Sequence, residues 1–197
     1  VELTLEKSAR RYEFSASYVW SRTRGNLTGA FGDENFGAPN YVGLYSERAQ
    51  NLYGPLPNDR PHLFKVYGSY RAGGLTMGGF FTMQSGTPQS ELGTGIFESQ
   101  TFHISPRGSK GRTPATWDCN LRFTYDLQRL ARAGAPRTRL IADIYHVFSR
   151  RKATVIDQLH YFNLDPDRNP VAENPAYLNP IFYQDPMSAR LGMEVDF

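Results

Sequence analysis

Four histidines and their neighbours are the first candidates for chemistry: His62, His103, His146 and His160. A nucleophilic site needs a serine, a histidine and an orienting acid that converge in space. Asp143 and His146 are three residues apart on a predicted strand, so their side chains lie on opposite faces and cannot pair directly. His103 lies near Ser105 in a long polar stretch where no acid is placed. We therefore predict no catalytic residues and no enzymatic activity.

Metal and cofactor chemistry also lack a complete motif. The histidines show no HxH or HxxxH spacing. Residues 165–169 lack the twelve-residue pattern of a calcium loop and indicate a proline-pinned turn instead. Gly93 to Gly95 lacks the strand and helix that flank a phosphate loop, which indicates a flexible loop tip. Cys119 has no second cysteine to pair with and is interpreted as a small hydrophobic residue. We predict no metal and no cofactor.

Cations and aromatic rings leave binding roles open. Several basic residues in polar stretches could meet an anionic ligand or lipopolysaccharide, or could simply be solvated: Arg48, Arg60, Arg107, Lys110 and Arg112. Trp20, Tyr70 and Trp117 could bind a sugar, but their positions at strand ends favour anchoring at a membrane interface. The net charge is only +3, so nucleic acid is not an expected partner.

Apolar and polar residues alternate along most of the chain, which is typical of β-strands. The alternation is unbroken in residues 117–126 and 187–197. It predicts about seven strands, near residues 1–6, 11–21, 64–71, 75–84, 117–126, 139–145 and 187–197. The chain contains no run of about 18 apolar residues, so no transmembrane helix is expected. Many of the predicted strands approach the ~9–11 residues that a tilted strand needs to cross a bilayer.

Short and long connections alternate between these strands. The short ones are Lys7 to Arg11, Ala72 to Gly74 and Leu127 to Arg137. The long ones are Thr23 to Pro61, Pro88 to Ala115 and Phe148 to Pro186. Within the last, Ala153 to Gln158 is predicted to extend a strand past the membrane; the alternative is an eighth transmembrane strand, with which a closed barrel is conceivable. This asymmetry is typical of outer-membrane barrels, whose long loops lie on the outer side.

The alternation assigns each side chain to one of two faces. We predict that eight residues face lipid or its interface: Trp20, Tyr70, Trp117, Leu121, Phe123, Tyr125, Leu191 and Val195. Four polar residues are predicted to face the lumen: Arg122, Asp143, Arg190 and Glu194. A soluble β-sandwich or ligand-binding barrel also alternates. Aromatic residues at strand ends favour the membrane over these alternatives.

Several segments carry a family resemblance by their order and spacing: Leu56 to His62, Tyr67 to Tyr70, Gln84 to Pro88, Gly111 to Asp118 and the terminal Phe197. Together they resemble the barrel of TonB-dependent outer-membrane receptors, the Oar-like group in particular. Ile144 to Ser149 is similar to a late-barrel stretch of the family, but His146 and Ser149 stand where asparagine is usual. The resemblance extends over nearly the whole chain.

The resemblance implies an all-β fold of antiparallel transmembrane strands in the bacterial outer membrane. It identifies residues 1–197 as the C-terminal portion of a barrel, and neither a plug domain nor a TonB box is recognisable in them. The implied function is ligand uptake without covalent chemistry. The implied partners are outer-membrane lipids, the rest of the barrel and its plug, the TonB complex through a region outside this chain, and an unknown ligand. The alternatives are a small structural or adhesive outer-membrane barrel and a soluble ligand-binding β-barrel.

The terminal aromatic residue carries the first testable prediction. Residues 191–197 alternate and end in Phe197, which resembles the assembly signal of outer-membrane barrels. Deleting Phe197 from the full-length protein should lower the yield of inserted barrel more than it lowers the stability of barrel already formed. Heat-modifiable gel mobility of the membrane fraction measures the first effect, and urea unfolding in lipid measures the second. Normal insertion of the truncated protein would contradict the assignment.

Overall fold

The computed structural model describes residues 1–26, 51–95, 101–129, 136–165, 167 and 169–196. Its longest strands form one antiparallel sheet, which we call the main sheet. In spatial order its members are β1 (Glu2–Ala9), β2 (Tyr12–Trp20), β5 (His62–Ala72), β6 (Leu75–Gln84), β9 (Thr116–Asp126), β10 (Arg137–Tyr145) and β15 (Ser188–Asp196). This order follows the chain, so the main sheet is a meander.

The remaining described strands are short and lie in the long connections. They are β3 (Arg24–Gly25), β4 (Gly54–Pro55), β7 (Leu92–Gly95), β8 (Thr101–His103), β11 (Ala153–Ile156), β12 (Leu159–Leu164), β13 (Pro170–Glu173) and β14 (Pro180–Tyr183). A short 3-10 helix, Leu127–Arg129, follows β9. None of the described helices is long and apolar enough to span a membrane. The prediction of an all-β, antiparallel fold is confirmed, and each predicted strand corresponds to a strand of the main sheet.

Cross-strand register runs without interruption from β1 to β15 in the main sheet. Directly paired residues share a face, so a rung of partners can be followed from β1 to β15. One rung is wholly apolar and consists of Ala9, Tyr12, Tyr70, Met77, Phe123, Ala142 and Leu191. The next rung lies on the other face and consists of Ser8, Glu13, Ser69, Gly78, Arg122, Asp143 and Arg190. We call these the apolar rung and the polar rung, and the faces that carry them the apolar face and the polar face.

No described strand covers the apolar face. Among the described strands, none stacks face to face on the main sheet, and strand contacts are those of neighbours within a sheet. Leu191 is 84% exposed and Met193 68%, and Leu3 at the other edge is 64% exposed. A soluble sandwich would cover such a face with a second sheet. The described structure therefore does not have the layered core of a sandwich.

The two outer strands of the main sheet each have an unpaired edge. β1 pairs with β2 alone and β15 with β10 alone among the described residues. Because an odd number of antiparallel strands separates the ends, β1 and β15 run in the same direction. The described strands do not close into a barrel, which agrees with the prediction of a partial barrel.

Connections follow the predicted asymmetry. The tight β5–β6 turn contains Gly73 with a φ of 63°, a left-handed conformation that suits glycine. The three long connections leave the opposite end of the main sheet, and β3 with β4 continues the β2–β5 hairpin there. β11, at the position predicted to extend a strand past the membrane, pairs with β14 and continues the β10–β15 hairpin.

The second and third long connections pair with each other through their strands. β7 and β12 are parallel neighbours, and β8 and β13 flank them in one four-stranded sheet of the described residues. We call this sheet, together with residues 85–91 and 104–115, the loop cap. Leu92 and Leu164 are each 1% exposed at its centre. The alternation pattern did not predict this sheet, because its strands have four, three, six and four residues and irregular register.

The two faces of β9 generate the second prediction. Leu121 lies mid-strand on the apolar face, while Thr124 lies on the polar face opposite Thr76. In the full-length protein, Leu121→Arg should cost about 2–4 kcal/mol of stability because the charge would meet hydrocarbon. The matched control, Thr124→Arg, should cost much less. Urea unfolding in lipid vesicles measures both, and equal penalties would contradict the assignment of the faces.

Candidate functional site

The structure separates the predicted lipid-facing and lumen-facing residues. The apolar face carries Trp20, Tyr70, Trp117, Leu121, Phe123, Tyr125, Leu191 and Val195. The polar face carries Arg122, Asp143, Arg190 and Glu194. Phe197 lies outside the described residues. That the apolar face meets lipid and the polar face a lumen remains a prediction.

Asp143 is the centre of the polar rung. Arg122 donates to it from Nε at 2.5 Å and from Nη2 at 3.1 Å. Arg190 donates from the other side, from Nη2 at 2.6 Å and from Nε at 3.1 Å. The Tyr145 hydroxyl adds a bond at 3.3 Å. The alternation predicted the shared face of these residues, but only the register of β9, β10 and β15 makes them contact one another.

The burial of this group is uneven. The Asp143 side chain is 3% exposed, whereas the side chains of Arg122 and Arg190 are 57% and 63% exposed. Two guanidinium groups around one carboxylate leave a net positive charge at an open surface. The exposed parts of the two arginines can therefore contact an anionic group that approaches the polar face.

A second ionic group lies on the same face, four residues along β10 and β15 from the polar rung. Arg139 donates to Glu194 at 3.2 Å and to Asp196 at 2.9 Å, all on the polar face. These side chains are between one third and one half exposed, so the pairs contribute little to stability individually. They show that acids and bases are interspersed on this face, which suits a wet surface.

His146 has an acidic partner that the sequence did not reveal. It follows the end of β10 with a φ of 54°, and its Nδ1 lies 2.9 Å from Oδ1 of Asp118 on β9. Its backbone N–H donates to the Asn120 side chain at 3.0 Å. The prediction that His146 does not pair with Asp143 agrees with this geometry, but the pairing across to β9 depends on register and was missed.

Glu91 is an acidic residue of the loop cap and lies beside Ser105. The sequence alone does not place an acid near Ser105. Lys110 Nζ is 2.9 Å from its Oε2, and His160 Nδ1 is 2.7 Å from its Oε1. Tyr161 and Tyr177 stack on the two sides of the His160 ring, each with a centroid distance of 4.0 Å. Ser105 and His160 both bond to the carboxylate, whereas a nucleophilic triad needs the serine to bond to the histidine.

Burial and hydrogen bonding shift the pKa of Glu91 in opposite directions. Burial by itself raises the pKa of Glu91, but hydrogen bonds from Lys110, His160 and Ser105 outweigh it and bring the pKa below its usual value. The bond with Glu91 raises the pKa of Lys110 in return. Burial raises the pKa of Tyr161 and that of Tyr177. The carboxylate is therefore the stable form that holds β12 against residues 91–110.

Gly93 is a packing position, and the prediction that Gly93 to Gly95 forms a flexible loop tip was wrong. Gly93 lies in β7, and a Cβ there would stand 2.6 Å from Leu164 Cδ1 and 2.8 Å from Ile104 Cδ1. A side chain at this position would force the ends of the Leu164 and Ile104 side chains to shift.

Most of the basic residues considered for anion binding have internal partners. Arg112 forms an ion pair with Asp59 and donates to the carbonyls of Asp59 and Gly86 at 2.7 and 3.0 Å. Arg60 donates to the Ser85 carbonyl at 2.8 Å. Arg107 is 5% exposed, Lys110 binds Glu91, and Arg48 lies outside the described residues. These side chains join the long connections to one another, which the sequence could not show.

The described residues contain no group of three or more His, Cys, Asp or Glu side chains that could hold a metal ion. Asp165 accepts from the Asn169 backbone at 2.7 Å and from its side chain at 3.0 Å. This is the pattern of a local turn, as the sequence indicated for residues 165–169.

Comparison with known proteins finds a distant relative. The chain is 27% identical over 223 residues to the TonB-dependent transporter Oar of Myxococcus xanthus. The match covers 92% of this chain and 20% of that protein, so the chain spans about one fifth of the length of the relative. No family model and no solved structure matches the chain. The chain is therefore distantly related to a TonB-dependent transporter.

Glu91 generates the third prediction. Because its pKa is lowered on folding, it stabilises the loop cap above the unfolded-state pKa of about 4.3, and this stability is lost as the pH falls below that value. The protection factors of the β7 and β12 amides in the full-length protein, corrected for the intrinsic exchange rate at each pH, should therefore fall in acid. Glu91→Gln should remove about 1–3 kcal/mol of protection at neutral pH and make it much less dependent on pH. The same acid dependence in Glu91→Gln would contradict the assignment.

Proposed function

We propose that this chain forms part of the barrel wall of a TonB-dependent outer-membrane transporter and contributes to ligand uptake. The observation that supports it best is the apolar face, which is continuous from β1 to β15 while ion pairs occupy the opposite face. A wall between lipid and a wet lumen needs this division. The distant relationship to a TonB-dependent transporter supports the same function.

Strand length and hydrogen bonding suit a bilayer. The strands of the main sheet have 8 to 11 residues, close to the ~9–11 that a tilted transmembrane strand needs. Neighbouring strands pair in continuous register without bulges, so the inner strands bond on both edges. In hydrocarbon each unsatisfied backbone group costs several kcal/mol, so continuous pairing is the arrangement that a membrane requires.

The unpaired edges of β1 and β15 favour the interpretation that these strands are part of a barrel wall and not a complete barrel. Their parallel direction does not allow the antiparallel closure that outer-membrane barrels use. We propose that further strands of a larger barrel pair with both edges. The rest of the barrel, an enclosed plug domain and outer-membrane lipids are then the immediate partners, and the TonB complex acts through a region outside this chain.

The polar face and the loop cap would guide the ligand without covalent chemistry. Arg122 and Arg190 present partly exposed guanidinium groups along the polar face. Ion pairs of the nearly buried carboxylates of Glu91 and Asp59 hold the cap together and join it to the first long connection. We assign this barrel to the Oar-like group, and the relative's name supports that assignment. The long connections are assigned to the outer side of the membrane.

Uptake is the fourth prediction and is tested in intact cells. Strains that lack the gene, or lack the TonB complex, should fail to deplete the same compounds from a defined medium that the parent strain depletes. Mass spectrometry of the spent medium measures this for every compound in the medium at once, so the ligand need not be chosen beforehand. A strain that carries the restored gene is the control.

Two other outcomes would overturn the proposal in distinct ways. Unchanged depletion together with altered cell adhesion would indicate a structural or adhesive barrel. Recovery of the full-length protein from cells without detergent would indicate a soluble β-barrel.

A further inference from the structure

We propose that the segment after β10 binds the phosphate of an anionic lipid in the leaflet nearest the long connections. The surface consists of Trp117, Phe148, Arg150, Arg151 and Lys152, and we call it the basic–aromatic patch. The inference rests on the proposed insertion in a membrane. The patch lies at the border between the apolar face and the long connections, where lipid headgroups would lie.

A tightly held turn projects Phe148 outward. Val147 is 8% exposed, and its N–H donates to the Cys119 carbonyl at 2.8 Å. Phe148 follows with a φ of 59° and is 81% exposed. A bulky residue in the left-handed region is costly and persists only where its surroundings fix it. The turn therefore maintains an exposed aromatic ring at the end of the main sheet.

Two cations lie over the Trp117 ring. The Arg150 guanidinium carbon is 5.0 Å and Lys152 Nζ 5.4 Å from the ring, and Lys152 also donates to the Ala115 carbonyl at 2.9 Å. Trp117 is the partner of Met83 on the apolar face, so the cations lie on the side that would meet lipid. Tryptophan with basic residues is the combination found at membrane interfaces.

The positive charges of the patch have no carboxylate partner among the described residues. Across the described ranges, no carboxylate forms an ion pair with Arg150, Arg151 or Lys152. The nearby acids are directed to His146 instead, with Asp118 at 2.9 Å and Asp185 at 4.0 Å. Three consecutive cations beside an exposed phenylalanine match a lipid that offers an anionic phosphate above an acyl chain.

Photo-crosslinking tests the patch in the full-length protein in nanodiscs. Phe148→p-benzoylphenylalanine should crosslink to phosphatidylglycerol in preference to phosphatidylcholine when both are present. Adding Arg150→Gln and Arg151→Gln should reduce that preference by roughly 25-fold, since each cation near an anionic surface contributes about fivefold. The charge-conserving pair Arg150→Lys and Arg151→Lys should retain most of it. A crosslinker at Tyr12, at the opposite end of the main sheet, should not respond to either pair.

The outcomes separate this inference from the proposed function. Heat-modifiable gel mobility reports insertion independently of crosslinking. Inserted protein that crosslinks both lipids equally, or is unaffected by the glutamine pair, would overturn the lipid site and leave the transporter proposal standing. Failure of the wild-type protein to insert would overturn both. Inorganic phosphate should reduce crosslinking no more than sodium chloride of equal ionic strength, and specific protection by phosphate would indicate a site for free phosphate instead.

Discussion

Register is the constraint on which the rest of this structure depends. A slip of one residue in β9, β10 or β15 would turn the apolar side chains of that strand onto the polar face. It would also turn the charged groups of that strand onto the apolar face, where in a membrane each costs about 2–4 kcal/mol. The alternation of side chains and the ionic bonds of the polar rung therefore favour the same alignment. Asp143 is the sharpest example, because its nearly buried carboxylate is satisfied only when β9 and β15 are both in place.

The main sheet could be predicted from the sequence, and the loop cap could not. Residues 117–126 and 187–197 alternate without interruption, and a period of two is a local property that any sequence window displays. Partners such as Glu91 and His160, or Asp118 and His146, come together only after distant segments pair. Gly93 is a further example of a position that depends on distant segments. In the sequence, Gly93 and Gly95 on either side of a threonine indicate a loop. In the structure, Leu164 and Ile104 pack against Gly93 in a strand.

Two sets of cations in the long connections have different surroundings. Arg60, Arg107, Lys110 and Arg112 are bound inside the long connections and hold them together. Arg150 and Lys152 instead lie on an aromatic ring at the border of the apolar face. Sequence composition treats these side chains alike. Their neighbours separate structural cations from those available to a partner.

The parallel pairing of β7 with β12 has a consequence for the order of folding. The two strands are separated in the chain by all of β9 and β10, and the pairing of β9 with β10 brings them closer together. Contacts between residues so distant in sequence form slowly, because the intervening chain must first lose its freedom. The loop cap therefore assembles late. Until then β7 and β12 expose unpaired edges, and a nascent chain is at its most vulnerable to aggregation and proteolysis in that interval.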